Sequence, residues 1–370
     1  MTGKAYALDQ AVTKQACRFA GVVRDERYLD HIPGFGHIES PERLGAIYER
    51  LDKDDVKGFY RPITPRPATR EELLWNHAPA YIESIARTAG RGFRQLDPDT
   101  VTSAGSWQAA CLAAGGVFSA LDAVCGGVVP NAFALVRPPG HHAERSEAKG
   151  FCIFNNVALG AYYAKKVLGY SRVLIVDWDL HHGNGTQNSF YNDPSVLYFS
   201  THQYPCYPGS GSVQEIGDGE GRGFTVNVPL ASGAGDEDYA AIFRRVLLPV
   251  AGSFSPDVIL VSAGFDIYEG DPLGGMKVSI QGLAYLARVL LDLASKVSQG
   301  RIIFCLEGGY NLYGLSEGVF AVIRECAGKS ILRPETLSYL GGSRPGQSVV
   351  AEVIDVLKDY WPEVFCKFCK

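Results

Sequence analysis

The chain has 370 residues, 46% hydrophobic and 20% charged, a balance that supplies a substantial core and excludes compositional disorder. A net charge of -5 and a pI near 5.9 lack the basic excess of a nucleic-acid binder, so direct nucleic-acid contact is not expected. Residues 1–21 show no apolar leader core, and no apolar stretch is expected to approach the ~20 residues of a membrane span; the expected location is the cytoplasm, with the nine scattered cysteines reduced rather than paired.

Taken in order, Ser40 is expected to cap a helix with Pro41 at its first position, since Leu44, Ile47, Tyr48 and Leu51 follow at helical spacing. Residues 90–105 form a long glycine-bearing loop. The apolar run Phe133–Val136 reads as a buried strand and leads into Arg137-Pro-Pro-Gly-His-His142, which sets paired imidazoles on a stiff turn. A second run, Arg172–Val176, is followed by Asp177-Trp-Asp-Leu-His-His-Gly-Asn-Gly185, with two carboxylates and two imidazoles inside six positions. Residues 203–223 are another long loop. Asp236 and Ser279 are expected to start amphipathic helices, the second ending before Gly300. Between them the run Asp257–Val261 leads to Asp266, and residues 268–275 form a third loop. The run Arg301–Leu306 ends in Glu307-Gly-Gly-Tyr310. Strands alternating with helices imply a parallel sheet covered on both faces, and a site drawn from His141 to Tyr310 implies one domain across 1–370. Gly328-Lys-Ser330 reads as a helix end rather than a phosphate loop, because Ile323 stands at the first glycine position. Cys366 and Cys369 lack two further ligands for a structural zinc and read as a solvated tail.

In open α/β sheets, ligands bind at the carboxyl ends of strands. Asp179 and His181 are two apart on an extended segment and project together, while Trp178 and Leu180 face the other way. They make half of a tetrahedral site, and a catalytic zinc takes three protein ligands. Asp266, just past another strand end, is the expected third. The His141–His142 pair offers a base beside the metal, and the two glycines before Tyr310 let backbone approach closely while a phenol is presented.

The Arg-Pro-Pro-Gly-His-His segment, Gly150-Phe-Cys-Ile-Phe-Asn-Asn156, the Asp-x-Asp-x-His-His-Gly-Asn-Gly run, Gly264-Phe-Asp266 and Glu-Gly-Gly-Tyr310 together resemble the zinc-dependent histone deacetylase family. Their wording is closest to its class II and bacterial amidohydrolase-like members, over about 37–328. The resemblance implies a single three-layer α/β/α domain with a mainly parallel eight-stranded sheet. It implies removal of acetyl or related acyl groups from an amine, with acetyl-lysine of proteins or peptides first and acetylated small amines as the rival. Zn²⁺ would be held by Asp179, His181 and Asp266, with Fe²⁺ also suited to these ligands. A metal-activated water would attack the amide, with His142 as general base and then acid and His141 as its electrostatic partner. Asp177 would accept from His141, and Asn184 from His142; a neutral Asn184 leaves His142 less basic and mostly neutral at pH 7. Tyr310 would stabilise the oxyanion. Gly150, Phe151 and Tyr207 would line a narrow channel, with Asp97 or Asp99 at its rim. A structural K⁺ is expected beneath the zinc at Asp177, Asp179, His181 and Ser200, and a second near Phe190 and Asp193. His182 reads as structural, and His31, His37, His77 and His202 as structural or surface residues.

Polyamine specialists of this family place a glutamate where Leu273 stands; Glu269, four residues earlier, keeps that rival open. A ureohydrolase with two manganese ions needs extra bridging carboxylates, and Asn184 and His182 stand there instead. A non-catalytic acetyl-lysine binder is the alternative from another class, and a homo-oligomer is left open.

Overall fold

The computed structural model describes residues 19–342 and 349–365; Cys366 and Cys369 lie outside them. Among these described residues ten strands form, in chain order β1 (Ala20–Val23), β2 (Tyr60–Ile63), β3 (Arg94–Gln95), β4 (Val101–Thr102), β5 (Ala132–Ala134), β6 (Val173–Asp177), β7 (Val196–Gln203), β8 (Thr225–Leu230), β9 (Val258–Ala263) and β10 (Ile302–Leu306). Eight of them build one sheet in the order β2-β1-β5-β10-β9-β6-β7-β8, every pairing parallel. The inner strands are runs dominated by Val, Ile and Leu and buried on both faces, the pattern a doubly covered parallel sheet demands. Their order matters for function. β5, β10, β9 and β6 are consecutive neighbours, so the segments leaving their carboxyl ends emerge side by side.

Helices Ser106–Cys125 and Asn156–Lys166 pack on one face, and Glu42–Leu51, Ile280–Val297 and Leu312–Cys326 on the other. The Ser106–Cys125 helix corrects the expectation about apolar stretches, because it has 20 residues and is long and apolar enough to cross a membrane. It is nonetheless mostly buried within the fold. Its run of Ala and Gly lets chains approach closely: a Cβ on Gly115 would meet the Arg66 carbonyl at 1.8 Å.

Two helix starts also differ from expectation. The first helix begins at Glu42 with Pro41 as its N-cap and no side-chain cap. Gly235, not Asp236, caps the Asp236–Ile242 helix, with Asp238 accepting from its N–H. Asp236 instead accepts from Ser279 N–H and Oγ–H, at 2.7 and 2.6 Å, tying two helix starts together. Ser279 does cap its own helix through Gly282 N–H. Among the described residues no cysteine pair forms a disulfide, and Gly328 follows a helix that ends at Cys326.

Candidate active site

β6 delivers Asp177 at its last position, but the chain then bends through residues 179–181 rather than running on as the extended segment the sequence suggested. The bends are held by Asp179 N–H donating to Asp177 Oδ1 and His181 N–H to Asp179 Oδ1, and they still bring Asp179 and His181 together. β9 delivers Asp266. The three side chains converge: His181 Nδ1 lies 3.2 Å from Asp179 Oδ1 and 3.2 Å from Asp266 Oδ2. Ligand atoms arranged tetrahedrally at ~2.0–2.1 Å from a zinc stand ~3.3 Å apart, so the spacing fits one small divalent ion. The donor chemistry fits as well. Asp266 Oδ2 is buried with no hydrogen-bond partner, an orphan that a cation would satisfy. Its carboxyl is pushed up to about 7, first by burial and then by the Asp179 charge. Burial opposes the charge on His181 too, but the two carboxylates outweigh it and hold its pKa well above the ordinary imidazole range. Positive charge is wanted here. Gly264 and Gly308 complete the cradle, since a Cβ on either would strike a carboxylate oxygen, at 2.1 Å from Asp179 Oδ2 and 2.2 Å from Asp266 Oδ2. Gly308 N–H in turn donates to Asp179 Oδ2 at 2.8 Å.

The paired histidines stand beside this cradle, both almost fully buried. His141 Nδ1 is 3.1 Å from Asp177 Oδ2, an oxygen that also accepts from Tyr198 Oη–H at 3.1 Å. Burial opposes the His141 charge, yet Asp179 and Asp177 raise its pKa to about 10. His142 is the opposite case. Burial, then the His141 and His181 charges, hold it well below the usual range, and its Nδ1 meets Asn184 Oδ1 at 2.8 Å. The two rings touch, with centroids 4.0 Å apart.

Gly150 and Phe151 both adopt positive φ, +53° and +70°. For phenylalanine that is a strained backbone, held by its N–H donating to Thr100 Oγ at 2.9 Å. The conformation turns the ring between His37 and Tyr310, edge-on to both, at 5.0 and 5.9 Å. A Cβ on Gly150 would collide with His142 Cδ2 and Tyr207 Cε1, at 2.5 and 2.9 Å, so only glycine lets those rings close in. Tyr207 stands edge-on to His142 at 5.1 Å. Asp97 spends its carboxylate on the Asp99 and Thr100 amides, and the Asp99 carbonyl contacts His37 Nε2.

Several buried charges that brace this site were not singled out from the sequence. Arg43 donates to the Gly309 and Glu307 carbonyls at 2.7 and 2.6 Å, and Asp271 accepts from the Tyr310 and Asn311 amides at 2.7 and 3.0 Å. The Glu-Gly-Gly-Tyr turn is thereby clamped from both polarities. Glu307 accepts from the Gly140 and His141 amides and from Ser262 Oγ–H. Glu39 binds the Arg137 guanidinium through both oxygens and also pairs with Arg43. Their only signal in the sequence is position, Glu39 and Arg43 near the start of the family resemblance at about residue 37 and Glu307 before the two glycines. His182 turns away from the cradle contacts, its Nδ1 meeting Ser210 Oγ at 2.8 Å and its Nε2 meeting Gln187 Oε1 at 3.0 Å.

The sequence profile of the histone deacetylase domain matches residues 37–326. Among similar proteins, histone deacetylase 15 of Arabidopsis thaliana is 39% identical, over 94% of this chain and 63% of its own length. Polyamine deacetylase HDAC10 of Danio rerio is 40% identical over 88% of this chain and 49% of its own. A probable deacetylase of Archaeoglobus fulgidus is 40% identical over 80% of this chain and 82% of its own. The chain thus spans about half to two thirds of the length of the first two. The crystal structure of the HDA15 HD domain superposes with a TM-score of 0.87 at 38% identity, covering 95% of this chain and 98% of that one. With the domain match running across most of its length, the chain belongs to the histone deacetylase family.

Proposed function

We propose that this protein is a zinc-dependent amidohydrolase that removes acetyl or related acyl groups from an amine, with N-ε-acetyl-lysine of peptides or proteins as its first substrate class. The observation that carries the reading is the buried cradle of Asp179, His181 and Asp266 with an orphaned Asp266 oxygen, flanked by the histidine pair and by the clamped Tyr310 turn. Zn²⁺ is the proposed ion, Fe²⁺ suits the same donors, and K⁺ would sit beneath at Asp177, Asp179, His181 and Ser200, with a second near Phe190 and Asp193. A divalent ion held there supplies Lewis acidity toward an amide oxygen and makes water more acidic.

The chain's own groups do the remaining work. His142, kept neutral by burial and by its charged neighbours, takes a proton from the attacking water at Nε2 and returns it to the leaving amine. His141 stays protonated against Asp177 and stabilises negative charge at the floor. Tyr310 donates its phenol O–H to the developing oxyanion, a contribution worth ~10²–10³ in turnover. Gly150, Phe151 and Tyr207 enclose a linear alkyl stem and keep bulk water out.

The name of the Danio rerio relative supports a second reading, an acetylpolyamine substrate. The half-exposed Leu273 at the mouth offers no charge to a second ammonium, which favours lysine. The test is turnover by zinc-reconstituted protein on acetyl-lysine peptides, longer acyl-lysines and acetylpolyamines, each with and without a hydroxamate. Peptide cleavage that disappears in Asp179→Ala and Tyr310→Phe supports the first reading. Turnover confined to polyamines moves the substrate to the second, and hydroxamate binding without any turnover leaves an acyl-lysine binder.

A further inference from the structure

Asn184 is the first residue of the Asn184–Phe190 helix and is buried between two partners. Its Oδ1 lies 2.8 Å from His142 Nδ1, and its Nδ2 lies 2.6 Å from Glu144 Oε1 and, more distantly, 3.4 Å from the His142 carbonyl. A carboxylate only accepts, so the amide must turn its NH₂ toward Glu144 and its oxygen toward His142. An amide oxygen only accepts too, so the proton of the His142–Asn184 bond belongs to Nδ1. A neutral imidazole has one N–H, which leaves the lone pair on Nε2, the nitrogen turned away from Asn184.

We infer that Glu144 is a positioning residue: its carboxylate orients the Asn184 amide and so decides which His142 nitrogen carries the proton. Glu144 is itself held in place. Asn188, one helical turn beyond Asn184, donates to the same Oε1 at 2.9 Å. The Glu144 carbonyl accepts from the buried His77 Nδ1 at 2.9 Å, and His77 Nε2 accepts from Asn155 N–H at 3.0 Å. Neither the carboxylate nor its backbone is free to swing out. With the Glu144 acceptor gone, only the long 3.4 Å contact to the His142 carbonyl still favours that orientation, and the amide can reverse, presenting NH₂ to His142 Nδ1 and moving the imidazole proton to Nε2. A base protonated at its reactive nitrogen does nothing, and general-base catalysis is worth ~10²–10⁴-fold.

The effect on turnover rests on the deacylase reading; the effect on the tautomer does not. Glu144→Lys replaces the acceptor with a donor that draws Asn184 Oδ1 to itself. In histidine-labelled protein, ¹⁵N correlation spectra should show His142 as Nδ1–H in the wild type and Nε2–H in the variant. The kcat on an acetyl-lysine peptide should fall by ~10²-fold or more, with KM within about threefold. Adding Asn184→Asp supplies a carboxylate that accepts from both His142 Nδ1 and the introduced ammonium, and should restore the Nδ1–H tautomer and return turnover to within about tenfold of wild type. An unchanged tautomer in Glu144→Lys overturns the inference whatever the activity, and so does a double variant as inactive as the single one. A wild type without turnover whose tautomer still answers to residue 144 sinks the deacylase reading and leaves the positioning role standing.

Discussion

At the floor of the site the charged groups are buried together with their partners, whereas at the mouth the walls ride on loops whose side chains face solvent. Asp177, Asp179, Asp266 and Glu307 have no exposed surface. Apart from Asp266 Oδ2, which faces the cradle, their oxygens are taken up by backbone amides, hydroxyls and imidazoles. Tyr207 and Leu273 are more than a third exposed. Groups fixed in advance lose nothing to reorganisation when charge develops, so the floor is suited to set the chemistry. Exposed loop side chains change at little cost to the fold, so the mouth is where substrate choice can vary.

The comparison breaks most visibly at the cradle. Asp266→Ala removes one of three converging donors, and turnover is expected to fall by ~10³-fold or more, with zinc content after dialysis falling in parallel. Retained zinc and turnover would mean that the ion sits elsewhere. Tyr310→Phe leaves the cradle intact and should cost ~10²–10³ in kcat while zinc content stays at the wild-type level. Loss of metal in that variant would show that the floor and the Tyr310 turn are one structural unit rather than two.

These positions were legible because chain order does the assembling. High-contrast apolar runs end in Asp177, Asp266 and Tyr310, and four neighbouring strands in a parallel sheet place such ends together. What stayed hidden are the residues that act across the fold. Glu144, Asp271 and Glu39 look like surface carboxylates in a local window, and only tertiary contact turns them into acceptors for an amide 40 residues away, for the Tyr310 turn and for two guanidiniums. Asp236 illustrates the same limit: its spacing marks a cap, while the fold uses it to reach Ser279. The Ser106–Cys125 helix owes its apolar character to alanines and glycines rather than to a run of large aliphatic side chains, which makes it hard to mark in a local window, although small residues are what its close packing requires.

Acid should loosen the foundation of the mouth. His202 is buried beneath the loop that carries Tyr207, with Nδ1 near Ser200 Oγ at 2.9 Å and Nε2 near the Gly211 carbonyl at 2.8 Å. Burial, then the neighbouring His182, lowers its pKa from 6.5 to about 3, against smaller upward pulls from the Gly211 carbonyl and then Glu215. The folded state refuses a proton that the unfolded chain accepts. The stabilisation is therefore complete above pH 6.5 and declines as pH falls toward 3. By pH 4.5 the loss from this residue is about 2–3 kcal/mol. Urea unfolding at pH 7.5 and 4.5 should show His202→Asn losing that much less than wild type on acidification. Equal losses would place the acid sensitivity elsewhere.

The smallest expected effect tests whether the mouth alone governs selection. Leu273 sits on the loop whose Asp271 accepts both the Leu273 and the Tyr310 amides, at 2.9 and 2.7 Å, so its backbone is tied to the floor while its side chain is free to vary. Leu273→Glu keeps those backbone bonds and adds a carboxylate in partly exposed surroundings. There an opposite charge is worth ~1 kcal/mol or less, a rate ratio of about fivefold. Relative kcat/KM should shift by that factor from acetyl-lysine peptide toward acetylspermidine, with absolute kcat on the peptide nearly unchanged. The shift should also shrink as salt is raised, because an exposed pair is screened. A variant that loses kcat on both substrates would show that the side chain at 273 disturbs the Asp271 clamp, and that mouth and floor are coupled through it.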